Sequence, residues 1–319
     1  MEHRPFGPLG TVSVLTLGGG GIGQVWGETT HEESVATVLA AVEAGIDFLD
    51  LAPGYGNGEA ERVVGDAFGG ALPAGVRVST KCRLDATPTA EVRSLLERSL
   101  EASLDRLRLQ RVDLFLLHNQ LVTATDAARG VSGTSRATFA EAVRPAFEEL
   151  IAAGRVGAWG ITGIGTPDAV IETLLDSRPP AAVQCVTNLL DSPGSMQRFE
   201  GPARPRDIIA AAAASGVGVM GIRAVQAGAL TDGFDRELPP DHVDVRDFNR
   251  AAPFRQLAAD LGVTPALLAH RYALTLPRVS TVVLGVKNRV ELQECLDAAE
   301  QGPLEAELVD RIDAAVARV

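Results

Sequence analysis

The sequence predicts an α/β fold, a single (β/α)8 TIM barrel over residues 1–319, with an N-terminal hairpin and an extra C-terminal helix. Three observations predict it. The chain has 319 residues, which suits one barrel of about 250 residues plus insertions. Its apolar fraction of 46 % is enough for a large core. Short apolar runs alternate with helically spaced segments from end to end, with no linker or shift in composition, and that alternation specifies one parallel sheet wrapped by helices.

The elements follow in order. Phe6-Gly7-Pro8-Leu9-Gly10 reads as a tight hairpin ahead of the first strand. Continuous runs rich in Leu or β-branched residues recur near 12–17, 46–50, 76–80, 112–117, 156–161, 181–186, 217–222 and 281–284. Such runs fit strands covered on both faces. Helical spacing marks 31–44, 59–69, 88–107, 138–153, 167–176, 203–215, 264–276 and 288–300, and 303–316 forms the additional helix. Thr30 with Glu33 makes a capping-box pattern. Thr166-Pro167 and Thr264-Pro265 place Pro in the first turn behind a Thr cap. Gly45, Gly154 and Gly216 suit left-handed C-caps. Two connections, 119–137 and 223–263, are long enough to suggest binding loops. The run Gly18-Gly19-Gly20-Gly21-Ile22-Gly23 satisfies GxGxxG, but Gln24 to Thr30 separate it from the first helix, and no acid closes a strand at the required distance. It reads as a flexible loop at the barrel top, not a Rossmann turn.

Composition restricts the partners. A net charge of −12 and a pI near 4.9 argue against nucleic acid and anionic membrane surfaces, both of which need basic patches. Cys82, Cys185 and Cys295 are few, odd in number and widely spaced. Neither a disulfide framework nor a metal site is expected, and reduced thiols suit a cytoplasmic protein. The N-terminus has no apolar signal-like region, and the apolar stretch Ile208–Ile222 is broken by Ser215-Gly216, so no membrane span is expected.

The scarce residue types mark the chemistry. The chain has two Tyr, and only two Lys among its 29 cationic residues. Tyr55 lies just past the second strand and Lys81 ends the third. Lys is a compact charge with a tunable pKa, which Arg is not. In a parallel barrel the functional groups gather at the C-terminal ends of the strands. Asp50, Tyr55, Lys81 and His118 belong to the ends of strands two, three and four, which are neighbours, so their side chains can converge.

These residues carry a resemblance. The stretch Asp50 to Gly56, the pair Ala60-Glu61, Ser79-Thr80-Lys81, Leu117-His118-Asn119, Gln184, Asn188 to Asp191, and Leu284-Gly285-Val286-Lys287-Asn288 together resemble the aldo-keto reductases along nearly the whole chain. The resemblance implies a nicotinamide-dependent enzyme that reduces an aldehyde or ketone to an alcohol. Tyr55 would be the general acid, Lys81 would pull its pKa down toward neutrality, Asp50 would hold Lys81, and His118 would orient the carbonyl. A small-molecule carbonyl or alcohol is the implied partner. Thr162 and Gln184 would bind the nicotinamide carboxamide, although Gly163 stands where relatives usually have Asn. Arg223 would contact the pyrophosphate, and Gly285, Lys287, Asn288 and Arg289 the adenosine end. Three polar or basic residues there favour NADP. Glu291, where many relatives carry Arg, favours NAD as the alternative. Trp26 and Asn119 are candidates for the substrate pocket. Two other readings share the fold: an NAD-linked sugar or alcohol dehydrogenase, and a cofactor-binding regulatory subunit of a channel.

Overall fold

The computed structural model describes residues 1–84, 87–234 and 236–317. Eight parallel strands close into a barrel: β1 (Leu15–Gly18), β2 (Phe48–Asp50), β3 (Arg77–Cys82), β4 (Val112–Leu117), β5 (Val156–Thr162), β6 (Ala182–Val186), β7 (Gly218–Ile222) and β8 (Thr281–Leu284). Each pairs with the next in sequence, and β8 closes on β1 through Val282 opposite Leu15. The surrounding helices are α1 (His31–Glu43), α2 (Glu59–Phe68), α3 (Val92–Leu107), α4 (Arg144–Ala152), α5 (Pro167–Leu174), α6 (Pro205–Ala214), α7 (Pro265–Thr275) and α8 (Arg289–Gln301). Ala306–Ala315 is the extra C-terminal helix. No described helix is long and apolar enough to cross a membrane.

The pleat decides what enters the barrel, because side chains on a strand alternate between faces. Phe48, Leu114, Leu116, Ala182 and Met220 form an apolar cluster. Two residues further along, Asp50 and Gln184 stand on the same face of their strands and one layer nearer the C-terminal mouth, and His118 follows immediately after β4. The hairpin, His3–Pro5 against Thr11–Ser13, serves the opposite end. Its Phe6 is fully buried and meets the Phe48 ring edge-on at 5.6 Å. A second, larger core lies between the barrel and its helices.

Several sequence expectations meet their partners. Thr30 and Thr264 accept hydrogen bonds from the backbone N–H of Glu33 and Leu267, so both cap their helices. Thr166 instead donates to Asp126 at 2.8 Å, leaving Pro167 to start α5. Gly45, Gly154 and Gly216 all have positive φ.

The long connections are more ordered than their sequences suggest. Residues 119–137 contain the helix Ala124–Ala128 and a short parallel pair, Leu121–Val122 with Thr134–Ser135. The connection after β7 contains helices Val243–Arg250 and Ala252–Asp260. The glycine run is not a flexible loop. Gly19–Ile22 is one helical turn, entirely buried. Close backbone approach requires the glycines: a Cβ on Gly21 would overlap the Val286 carbonyl oxygen, and one on Gly19 would sit 3.0 Å from the Tyr55 ring.

This packing makes a stability prediction. Gly21→Ala should lower the unfolding free energy by about 1–3 kcal/mol, the usual cost of forcing extra volume into a packed site. Gly54→Ala, where a Cβ would have nothing within 4 Å, should change it by less than about 0.5 kcal/mol. Denaturant midpoints measure both, and equal midpoints would contradict the packing account.

Candidate active site

Strand register brings the polar residues together. Gly18 lies opposite Asp50, Asp50 opposite Ser79, Cys82 opposite Leu117, and Gln184 opposite Thr162. Lys81 is fully buried and Asp50 nearly so. The Lys81 ammonium spends its three protons on three oxygens: Asp50 Oδ2 at 2.9 Å, the Leu51 carbonyl at 2.7 Å and Tyr55 Oη at 3.4 Å. Asp50 is held in turn. Ser79 Oγ donates to its Oδ1 at 2.7 Å, and Gln184 Nε2 reaches across the barrel to its Oδ2 at 2.7 Å. The Tyr55 and His118 rings meet edge to face at 5.9 Å. The four residues picked from strand ends therefore form one cluster.

Electrostatics assign their charges. Burial works against the Lys81 ammonium, but Asp50 first and then Tyr55 outweigh it, and its pKa is raised. Burial also raises the Tyr55 phenol, with Lys81 opposing and Asp50 reinforcing the rise. The expected downward pull of Lys81 is present, but desolvation exceeds it, so the phenol is protonated at neutral pH. His118 is pushed down to about 3, chiefly by burial and then by Lys81 and Arg83. Its imidazole is neutral, with one N–H to donate and no proton to surrender.

A cavity of about 480 Å³ opens beside this cluster. It runs from Tyr55 and His118 past Thr162 and Gln184, between the ends of β7 and β8, to Lys287, Glu291, Glu294 and Cys295. Thr162 Oγ1 is buried without a hydrogen-bond partner. Such an orphan beside Gln184 is what a bound carboxamide would satisfy, so the lining fits a nicotinamide nucleotide. Gly163 has no side-chain amide to offer, and its backbone N–H donates to the Gln184 carbonyl at 2.7 Å.

Arg223 lines the cavity and has positive φ. Its Nε donates to Gln226 Oε1 at 2.7 Å, and its Nη2 faces Asp244 at 3.4 Å. Gly285 lies under Trp26, which also covers Gly20 and lines the cavity. The Arg236 guanidinium sits 5.7 Å from the Trp26 ring. At the far end, Lys287 meets Glu291 twice, through its backbone N–H at 2.9 Å and its Nζ at 3.0 Å. Asn288 caps α8 by accepting from Glu291 N–H, and Arg289 binds Glu33.

Asn119 is placed elsewhere. It is buried, its Oδ1 accepts the Leu84 N–H at 2.7 Å, and it is not among the described residues lining the cavity. It ties down the chain after β3. Met196, Asp232 and Arg236 also line the cavity; the last two fall in the 223–263 connection expected to form a binding loop, and nothing in their sequence context singles out any of the three. They come from long connections without periodicity, and the rarity that singled out Lys81 gives no signal for an Arg in this chain.

The aldo/keto reductase family profile matches residues 14–317. L-galactose dehydrogenase of Arabidopsis thaliana is 26% identical over 94% of this chain and 89% of its own length. Methylglyoxal reductase YeaE of Escherichia coli is 25% identical over 96% of this chain and 95% of its own. The solved holo form of aldo-keto reductase AKR11C1 from Bacillus halodurans superimposes with a TM-score of 0.73 at 22% identity, covering 100% of this chain and 97% of the other.

The imidazoles separate by pH. Ring NMR signals of His118 should show no protonation step above about pH 4, since burial holds its pKa down. His31, raised by its hydrogen bond to Glu59, should titrate above 6.5. The unfolded chain takes up a proton at His118 that the native chain refuses, so this residue costs stability as pH falls below about 6.5. A His118 step near 6.5 would contradict this.

Proposed function

Because this chain belongs to the aldo/keto reductase family, we propose that it interconverts an aldehyde or ketone and the corresponding alcohol, with Tyr55 as the proton donor. The observation that carries the reading is the Lys81 ammonium, anchored on Asp50 and 3.4 Å from the Tyr55 hydroxyl, beside a neutral imidazole at the wall of the cavity. A nicotinamide dinucleotide, when bound, supplies the hydride. Taken alone, the basic residues at 287–289 point to NADPH and Glu291 points to NADH.

The side chains divide the remaining work. His118 donates its N–H to the carbonyl oxygen and positions it, a dipole set in place before charge develops there. Tyr55 passes its phenolic proton to that oxygen as it gains negative charge. The tyrosinate left behind faces the Lys81 ammonium, which stabilises it. Asp50, Ser79 and Gln184 keep Lys81 charged and fixed. In the opposite direction the tyrosinate accepts the alcohol proton. Trp26, Met196 and Arg236 offer an aromatic, a thioether and a cation beside the site. This mixture suits a small polar carbonyl or sugar, and the relative named L-galactose dehydrogenase is consistent with that class.

Tyr55→Phe tests the reading. Turnover with a panel of aldehydes, ketones and sugars should fall by about 10²–10⁴-fold, the usual share of a positioned acid, while dinucleotide dissociation constants stay within about twofold. Because burial holds the Tyr55 proton on, carbonyl reduction should be favoured at neutral pH, and alcohol oxidation should accelerate as pH rises toward the phenol pKa. Retained turnover in Tyr55→Phe would overturn Tyr55 as the acid.

A further inference from the structure

The far end of the cavity carries a charge arrangement that the proposed chemistry does not require. With the hydride delivered at Tyr55 and His118, the opposite end, at Lys287, Glu291 and Glu294, would receive the adenosine half of a dinucleotide. A 2′-phosphate bound there needs uncommitted cations and N–H donors, and a helix N-terminus ordinarily supplies the latter. At α8 these donors already serve oxygens of the chain itself.

Glu33, in the first turn of α1, reaches across to the start of α8. Its Oε1 accepts the Arg289 backbone N–H at 3.0 Å and the Arg289 Nε at 3.1 Å, and its Oε2 accepts Nη2 at 3.0 Å. Glu291 Oε2 accepts the Lys287 backbone N–H at 2.9 Å, and its Oε1 pairs with Lys287 Nζ at 3.0 Å. The Glu291 N–H is taken by Asn288 Oδ1 at 2.9 Å. Glu291 lines the cavity, whereas Glu33 is not among its described lining residues and acts at the adjoining start of α8; each carboxylate holds a backbone N–H and a cation that an external anion would otherwise meet. Glu294, whose carboxylate accepts from the Thr264 hydroxyl, also lines this end.

We propose that Glu33 and Glu291 fill, from within the chain, the anion site that a 2′-phosphate would need, so that this cleft selects NAD(H) over NADP(H). The proposal rests on the nicotinamide-dependent reading of the site. A phosphate dianion has no proton to share with a carboxylate and is repelled by it, whereas a ribose hydroxyl can donate to one. Discrimination of this kind works by placing repulsive groups against the wrong ligand. The departure from the basic expectation at 287–289 has a simple cause: the cations are present in the sequence, and their counter-ions come from positions 33 and 291.

Equilibrium binding tests it without turnover. Trp26 lines the cavity, so quenching of protein fluorescence can report dissociation constants for NADH and NADPH. 5′-AMP and adenosine 2′,5′-bisphosphate serve as competitors that isolate the adenosine end. The wild-type protein should bind NADH at least about tenfold more tightly than NADPH, and 5′-AMP more tightly than the bisphosphate. The double variant Glu33→Gln/Glu291→Gln should reduce the NADPH-to-NADH ratio of dissociation constants by about tenfold or more, mainly through tighter NADPH binding. Wild-type preference for NADPH, or equal affinity, would overturn the selection. An NADH preference unchanged in a double variant with a native circular dichroism spectrum would overturn its assignment to these carboxylates. Failure to bind either dinucleotide would overturn the nicotinamide reading itself, and this inference with it.

Discussion

The ion pair between Lys81 and Asp50 is the constraint on which the rest of the site depends. An ammonium with no solvent exposure is expensive to bury and stays charged only if every proton finds an oxygen. Asp50, the Leu51 carbonyl and Tyr55 supply those oxygens, from the end of one strand and the loop that follows it. Loss of one partner from such a pair costs about 3–5 kcal/mol, because the survivor is left buried and uncompensated. The same geometry sets the chemistry. The group that keeps Lys81 charged is the neighbouring Asp50, and the group that feels the resulting field is the Tyr55 hydroxyl.

The barrel holds this pair in place from several sides. Asp50 lies abreast of Ser79 in the β2–β3 ladder and receives an amide from Gln184 across the interior. Below, Phe6 and Phe48 plug the opposite end with hydrocarbon. The loop carrying Tyr55 is pressed onto the buried turn Gly19–Ile22, where only glycines admit the approach. The other end of the cavity follows a different logic. Charge is not concentrated there but cancelled, with Lys287 against Glu291 and Arg289 against Glu33.

Much of this was legible in the sequence, and the unread parts share a cause. Barrel strands buried on both faces leave continuous apolar runs, so all eight could be located. Asp50, Lys81 and His118 stand at the ends of such runs, and strand adjacency alone brings them together. The glycine turn is hidden in the sequence, which shows conformational freedom but not the carbonyl of Val286 that crowds it. Asn119 follows His118 in the chain, yet its side chain is spent on the Leu84 N–H, a contact that sequence adjacency does not show. Glu33 fits a capping box with Thr30, a local role, whereas its bond to Arg289 spans most of the chain. The helices at 243–260 belong to a stretch whose polar residues serve a buried network around Asp244, Asp247 and Gln226. Such polar helices leave a weak apolar pattern.

The central claim is that Lys81 acts on Tyr55 through its charge, and single-turnover kinetics of Lys81→Met test it most directly. Methionine keeps much of the length and volume of lysine while removing the ammonium. With a dinucleotide deuterated at the transferred position, the account predicts that hydride transfer slows by about 10²-fold or more, the scale of a lost electrostatic contact in a buried site. The primary isotope effect should be fully expressed and dinucleotide affinity unchanged. A single-turnover rate within about twofold of wild type, in a variant that remains folded, would contradict the account.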